Sequence, residues 1–423
     1  MQSATPKVLH KIAGRPMLSH LIASAEAVFD RIVVVLGPGM EAVARQAAPH
    51  PAVVQAERLG TAHAARQAET LFGEGEVAVL YADNPLIRPA TMRRLLDRRA
   101  AGDAALVLLA MRPAHPGGYG RVLAAGPYVE TIVEAADATP EQRAVGLCNA
   151  GMLCAAAADM RRWLAAVRAD NAKGEFYLTD LVGLARAEGG RVAAVEAPDN
   201  ELAGVNSRAE LAAAEATVQS WLREAAFEAG VSMTDPASVF LAADTELAPD
   251  VTIGPSVVFG PGVRVERGAE IRAFSHLEGC TIGADCIVGP FARLRPATVL
   301  GRGVHVGNFV ELKATVLGAG AKANHLAYLG DAEVGARSNI GAGTITCNYD
   351  GYAKHRTTIG EDVFVGSDSV LVAPVSVGDG AFVSAGSVIT RDVAPDAMAF
   401  GRARQQDKPG GAAAFHASKK EPR

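Results

Sequence analysis

Residues 251–277 read VTIGPSVVFGPGVRVERGAEIRAFSHL, and the spacing of their apolar positions decides the architecture of the C-terminal half. Ile253, Phe259, Val265, Ile271 and Leu277 fall six residues apart. After one slip of phase the spacing returns at Ile282, Val288, Leu294, Leu300, Val306 and Leu312, and again at Ile359, Val365, Leu371, Val377, Val383 and Ile389. A period of six fits neither a helix nor an alternating strand. It fits a parallel β-helix, in which each hexad makes one short side and its aliphatic residue points inward. Glycines after many of these residues, among them Gly254, Gly260, Gly283 and Gly307, relieve the corners.

Upstream of the hexads, 207–228 reads SRAELAAAEATVQSWLREAAFE, rich in alanine and free of glycine and proline. This predicts one long connecting helix, semi-rigid as a linker. Further upstream, helical patterns at 17–29, 40–48 and 62–71 alternate with aliphatic runs at 31–36, 52–54 and 77–81. That alternation predicts an α/β domain with a parallel sheet and helices on both faces, whose ligands sit at the carboxyl ends of strands. Asp83 lies just past one such end. The expected organisation is an α/β domain over 1–208, a helical linker over 209–230, and a β-helix domain over 231–423 with a mobile tail from about 403.

Composition narrows the function. The 423 residues are 49% hydrophobic, so core material is plentiful. A net charge of −5 and only 5% aromatics provide neither a basic field nor a stacking surface for nucleic acid. No run of about 18 apolar residues marks a membrane span, and the opening MQSATPK does not read as a signal peptide. Five scattered cysteines, Cys280 and Cys286 included, suit neither a disulfide framework nor a zinc site. A cytoplasmic setting with buried thiols is the expectation.

Seven segments carry a resemblance: PKVLHKIAGRPM at 6–17, QAERLGTAHA at 55–64, YADNPLI at 81–87, GGYGRV at 117–122, GVNSR at 204–208, GPFARLRP at 289–296 and NHLAYLGDAEVGARSNIGAGTITCNYDG at 324–351. With these the chain resembles the bacterial family of bifunctional glucosamine-1-phosphate N-acetyltransferases and N-acetylglucosamine-1-phosphate uridylyltransferases. The resemblance implies a nucleotidyltransferase-type (Rossmann-like) domain, a helical arm and a left-handed β-helix of hexapeptide repeats that forms a homotrimer. It also implies acetyl-CoA and UTP as co-substrates, Mg²⁺ as cofactor, and a product that feeds peptidoglycan and lipopolysaccharide synthesis.

For uridylyl transfer two phosphate-bearing anions must meet, so the work is positioning and charge neutralisation. The resemblance implies Asp83 and Asn206 as Mg²⁺ ligands and Lys7 as a phosphate contact. It places Gln55, Gly60 and Thr61 at the uracil, and Tyr81, Gly120, Glu134 and Asn149 around the sugar and ribose. Two departures stand out. Ala82 replaces a usual glycine, and Met1 aligns with the last methionine of a family segment whose strand and glycine-rich loop have no counterpart here. Either a mis-assigned start or a true truncation is expected from this. For a true truncation, acetyl transfer alone would survive.

Acetyl transfer needs a neutral amine and therefore a base, for which histidine is the natural residue. The resemblance implies His325 in that role. It places Arg295, Lys313, Tyr328 and Asn339 on the sugar phosphate, with Glu311 orienting the site. Ala342, Asn348, Tyr349, Ser367, Ala385 and Arg402 fall at acetyl-CoA, and Lys354 near the cofactor's phosphates. The hexad rhythm breaks between Ile340 and Ile359, where a functional excursion is expected. Two rivals remain: a non-enzymatic solenoid, and a hydratase with zinc on His305, His325 and His355.

Overall fold

Residues 1–171 and 173–420 are described by a computed structural model of the chain. They divide into two units, Met1–Trp221 and Leu222–Arg423. The helix Arg208–Glu228 contains the division and matches the predicted connecting segment.

In the second unit the hexads stack as read. Three parallel sheets of ten, eight and eight short strands form its sides. Ile253 pairs with Ile271, Ile271 with Val288, and Val288 with Val306, so each coil returns to the same side after seventeen or eighteen residues. The phase slip in the sequence is one of these shorter coils. Every aliphatic residue of the three hexad series is buried, and together they form one continuous core. Each such burial contributes about 1.5–3 kcal/mol, which is why the six-residue signal is so clean. This is the left-handed parallel β-helix fold that the resemblance implies.

Two departures from regularity matter for function. At one corner of successive coils a non-glycine residue takes a left-handed conformation: Phe274, Phe291, Phe309 and Leu326, with φ between 50 and 59°. All four side chains are exposed. The three phenylalanine rings stack at centroid separations of 4.9 and 5.2 Å. At the other departure, Ile340 pairs with Val365, twenty-five residues on. The extra length lies between Cys347 and Thr357, and the ladder on both sides of it stays intact.

The first unit corrects one expectation. Its main sheet has six strands in the order Glu76–Val79, Cys148–Ala156, Leu106–Met111, Val192–Glu196, Tyr128–Val133, Arg121–Ala125, and it is mixed rather than parallel. Val192–Glu196 runs parallel to Leu106–Met111, whereas Cys148–Ala156 runs antiparallel to each of its three partners, Glu76–Val79, Leu106–Met111 and Arg121–Ala125. The cause is local. Gly126 (φ 61°) lets Arg121–Ala125 and Tyr128–Val133 form a hairpin, so these strands enter without a helical crossover. Val34–Leu36 and Ala52–Val54 form a separate parallel pair. Buried residues such as Leu106, Leu108, Met160 and Trp163 fill one side of the main sheet, and Val107, Leu109, Met92 and Leu95 the other.

After Arg402, where mobility is the expectation, the chain carries a helix at Gly411–Lys419 with no buried side chain. Among the described residues no helix is long and apolar enough to cross a membrane.

Candidate active sites

Three residues far apart in sequence meet in the first unit. Lys7 Nζ donates to Asp83 Oδ2 at 2.7 Å and to Asn206 Oδ1 at 2.8 Å. Each has a local reason to be there. Asp83 follows the strand Glu76–Val79, and its carbonyl accepts from Val205 N–H at 2.8 Å. Next to it the buried Asn84 amide donates to Leu202 O. Asn206 precedes a helix start of the form Ser-x-x-Glu. Glu210 Oε2 accepts from the N–H groups of Asn206 and Ser207, and Ser207 Oγ accepts from Glu210 N–H. Burial opposes the charge on Glu210, but these hydrogen bonds prevail and hold its carboxyl below the usual range.

Two oxygens converging on one cation are a donor set of the hard kind that magnesium accepts, and the cation there is the Lys7 ammonium. The residues present therefore fit the implied ion.

The other residues named for this half are tied to their neighbours by pairwise contacts. Gln55 Nε2 donates to Gly60 O at 3.0 Å. Gly60 (φ 118°) lies so close to the Phe176 backbone that a Cβ would overlap it. Thr61 Oγ1 accepts from Leu178 N–H at 2.9 Å and also bonds Tyr81. Burial pushes the Tyr81 phenol up to about 12, helped by the Glu134 and Asp83 charges. Its ring packs on Gly151, where no side chain would fit. Asn149 N–H donates to Gly120 O at 2.8 Å, and Gly120 leaves Glu134 room. Glu134 accepts from Thr179 Oγ1 at 3.0 Å.

Glu134 opens into a cleft of about 620 Å³ with Tyr177, Thr179 and Asp180 on its wall. Tyr177 is nine-tenths buried, and among the described residues its hydroxyl has no hydrogen-bond partner. Burial, then Glu134, raises the Asp180 carboxyl above its ordinary value.

In the second unit His325 ends the strand Lys322–His325, exposed at a corner. Asn308 is its register partner on the previous coil, and His325 Nδ1 lies 2.7 Å from Asn308 Oδ1. With that oxygen accepting, Nδ1 carries the ring proton and Nε2 keeps its lone pair. Beneath the strand, Gly307 lies so close to Asn324 that a Cβ would overlap the Asn324 backbone. Successive coils carry Ala342, Ser367 and Ala385 at the same corner, two residues past the paired Ile340, Val365 and Val383. Arg402 stands beside Gly386 at the next coil. The corner is thus a column of small residues leading away from the imidazole.

Around the turn, Arg295 pairs with Glu311 at 3.0 Å and Lys313 with Asp331 at 3.6 Å. Glu311 and Tyr328 are register partners. Asn348 Nδ2 donates to Asp331. Lys354 reaches back to bring its amine beside that of Lys313. The contact lifts Lys313, which Asp331 also favours, and lowers Lys354. Three cationic groups with two carboxylates leave a net positive charge there.

Tyr349 is exposed, its hydroxyl on Gly351 O at 2.6 Å. Asn339 does not join the cationic group. It lies on the side of Lys322 and Phe364, its register partners. His355 Nε2 turns to Asp350 Oδ2 at 2.7 Å. Among the described residues no three metal-ligating side chains group together, which removes the zinc rival's footing.

Comparisons with known proteins now bear on this geometry. The MobA-like NTP transferase domain matches residues 1–226. The bacterial transferase hexapeptide (six repeats) matches 279–314, and the hexapeptide repeat of succinyl-transferase matches 356–391. The Bifunctional protein GlmU of Acidiphilium cryptum (strain JF-5) is 66% identical over 99% of this chain and 96% of its own. That of Gluconacetobacter diazotrophicus is 64% identical over 99% of this chain and 92% of its own. The chain belongs to the GlmU family.

Against the crystal structure of UDP-glucose pyrophosphorylase complexed with UDP-glucose, the identity is 16% and the TM-score 0.42, over 52% of this chain and 91% of that one. That likeness is too slight to bear on function. The GlmU relatives give no support to the expectation of a lost N-terminal strand and loop.

Several residues escape the sequence reading. Tyr177, Thr179 and Asp180 sit in EFYLTD at 175–180, where no periodicity marks them. Asn308 could have been found, because it lies one coil before His325 at the same corner.

Proposed function

We propose that this chain catalyses two group transfers. Acetyl-CoA acetylates the amine of glucosamine-1-phosphate, and UTP then gives its uridylyl group to the resulting N-acetylglucosamine-1-phosphate, releasing pyrophosphate. One observation supports the pair: a single chain holds an oxygen-and-ammonium cluster suited to phosphoryl transfer and an imidazole with a free Nε2 at the end of a column of small residues.

In acetyl transfer His325 Nε2 takes the proton from the sugar amine as nitrogen attacks the thioester carbon. The tetrahedral intermediate collapses with loss of the coenzyme A thiolate. Arg295 and Lys313 receive the sugar phosphate, and Lys354, read from the sequence as a partner for the cofactor's phosphates, adds its charge beside Lys313. The small-residue corner formed by Ala342, Ser367 and Ala385, with Asn348, Tyr349 and Arg402, takes the extended thioester.

In uridylyl transfer a sugar-phosphate oxygen bonds to the α-phosphorus of UTP while the bond to pyrophosphate breaks. Lys7 neutralises phosphate charge, and Asp83 and Asn206 would hold Mg²⁺, which when bound supplies further neutralisation and a template. Gln55, Gly60 and Thr61 take the base; Tyr81, Gly120, Glu134 and Asn149 take the sugars, with Tyr177 and Thr179 beside them.

The chain works as a homotrimer in the cytoplasm on this reading. The exposed ladder of Phe274, Phe291, Phe309 and Leu326 favours self-association, as does the separation of Asn339 from Arg295 and Lys313, which a neighbouring copy would close. The narrower expectation, acetyl transfer alone, gives way to the bifunctional reading, since both kinds of domain are present in a chain of the GlmU family.

The test is to follow coenzyme A release and pyrophosphate release on the same preparation. Asp83→Asn should silence only the second, and His325→Ala only the first. Loss of both by either change would sink the two-site reading.

A further inference from the structure

Gly204 lies two residues before Asn206, in a segment whose backbone is pinned group by group. Leu202 O accepts from the Asn84 amide, Val205 N–H donates to Asp83 O at 2.8 Å, and Asn206 N–H donates to Glu210 Oε2 at 2.7 Å. Gly204 is buried, and its N–H donates to the Tyr119 hydroxyl at 3.0 Å. A buried N–H needs an acceptor, and the phenol supplies it. A Cβ on Gly204 would lie 3.5 Å from Asn206 Nδ2 and 3.7 Å from Tyr119 Oη, so the amide and the phenol border the same small space.

Tyr119 is itself held. Its ring packs against the core cluster that includes Ile87, Met92 and Leu202, and its N–H donates to Pro116 O at 3.1 Å. Its carbonyl accepts from Arg121 Nη1, and the same guanidinium donates to Gly117 O and Arg143 O, both at 3.2 Å. Arg121 is 4% exposed, and among the described residues no carboxylate pairs with it. A buried planar fork with three carbonyls on it fixes the backbone of the loop 117–120, and with it the place of the phenol.

We infer that Tyr119 is a positioning residue for the metal ligand Asn206: by accepting from Gly204 N–H it sets where Asn206 presents its oxygen, and so ties the loop 117–120 to the metal side of the site. The inference rests on Asn206 being a ligand of the divalent cation. Phenylalanine at this position keeps the ring and its packing but leaves Gly204 N–H without its acceptor, and the backbone that carries Asn206 then turns to find another. Groups that orient a metal ligand are worth about 10–100-fold in metal affinity. Tyr119 acts through the backbone two residues away, so the lower end of that range applies.

Mn²⁺ binding to the nucleotide-free chain, read by paramagnetic resonance, should be measured for the wild type, Tyr119→Phe, Asn206→Ala and the double variant, with pyrophosphate and coenzyme A release on each. Tyr119→Phe should weaken Mn²⁺ about tenfold and raise the Mg²⁺ concentration needed for half-maximal pyrophosphate release, with coenzyme A release unchanged. In the Asn206→Ala background the same change should weaken Mn²⁺ by less than about twofold, because the group it positions is gone. Unchanged Mn²⁺ affinity in Tyr119→Phe, or equal losses in both backgrounds, would assign Tyr119 to the fold and overturn the inference alone. An Asn206→Ala chain that binds Mn²⁺ as tightly as the wild type would overturn it together with the reading of Asn206.

Discussion

Lys7 Nζ lies 2.7 Å from Asp83 Oδ2, and the same nitrogen meets Asn206 Oδ1 at 2.8 Å. An ammonium thus sits where two oxygens would hold a divalent cation, and one point cannot carry both charges.

Competition for that point is measurable. Lys7→Met should tighten Mn²⁺ binding to the nucleotide-free protein, read by paramagnetic resonance, while pyrophosphate release falls by roughly 10²-fold for want of the phosphate contact. Chelation with EDTA should stop pyrophosphate release and spare coenzyme A release. Unchanged Mn²⁺ affinity in Lys7→Met would remove the competition.

The imidazole of His325 depends on Asn308 for its tautomer. His325→Ala should lower kcat for acetyl transfer by about 10²–10⁴-fold. Asn308→Ala should cost roughly 10-fold in kcat, with little change in KM, because the ring remains but is no longer oriented. An Asn308→Ala enzyme of normal rate would show that orientation is unnecessary.

Gly307 lies against the Asn324 backbone without room for a methyl group. Gly307→Ala should therefore push the strand that ends at His325, lowering both coenzyme A release and the melting temperature of the β-helix, by about 1–3 kcal/mol in stability. Pyrophosphate release serves as the control and should hold.

Burial pushes the thiols of Cys154 and Cys280 up to about 12 and that of Cys286 to about 11, and raises Cys148 as well. A raised thiol pKa leaves almost no thiolate at pH 8, and only the thiolate reacts. Titration of the native protein with Ellman's reagent should find at most Cys347 reacting quickly, whereas all five should react in guanidinium. Two or more fast thiols in the native state would contradict the burial.

The β-helix was legible because its signal is repeated coil after coil, each hexad placing one aliphatic side chain in the core. The mixed sheet of the first unit was not, since alternation of helices and strands leaves strand direction open and the hairpin around Gly126 shows no helical interval. Asp83, Asn206 and Lys7 were readable one by one from motifs, but that Lys7 bridges the other two is a fact of folding. Asn339 matched its motif and still lies on another side from Arg295, because sequence matches carry no information about which face of a coil, or which copy, supplies a residue. EFYLTD at 175–180 has neither period nor family segment to mark it.

The excursion between Cys347 and Thr357 enters and leaves without disturbing the pairs on either side, Ala332 with Thr357 and Cys347 with Val372. Its own order is internal: Asp350 accepts from Tyr352 and Ala353 N–H and from His355, which keeps its carboxyl ionised far below the usual range. A change of length in such a segment would leave the coil pairing on either side in place, and would cost only the contacts that Asn348, Lys354 and Arg356 make to Asp331, Lys313 and Glu333.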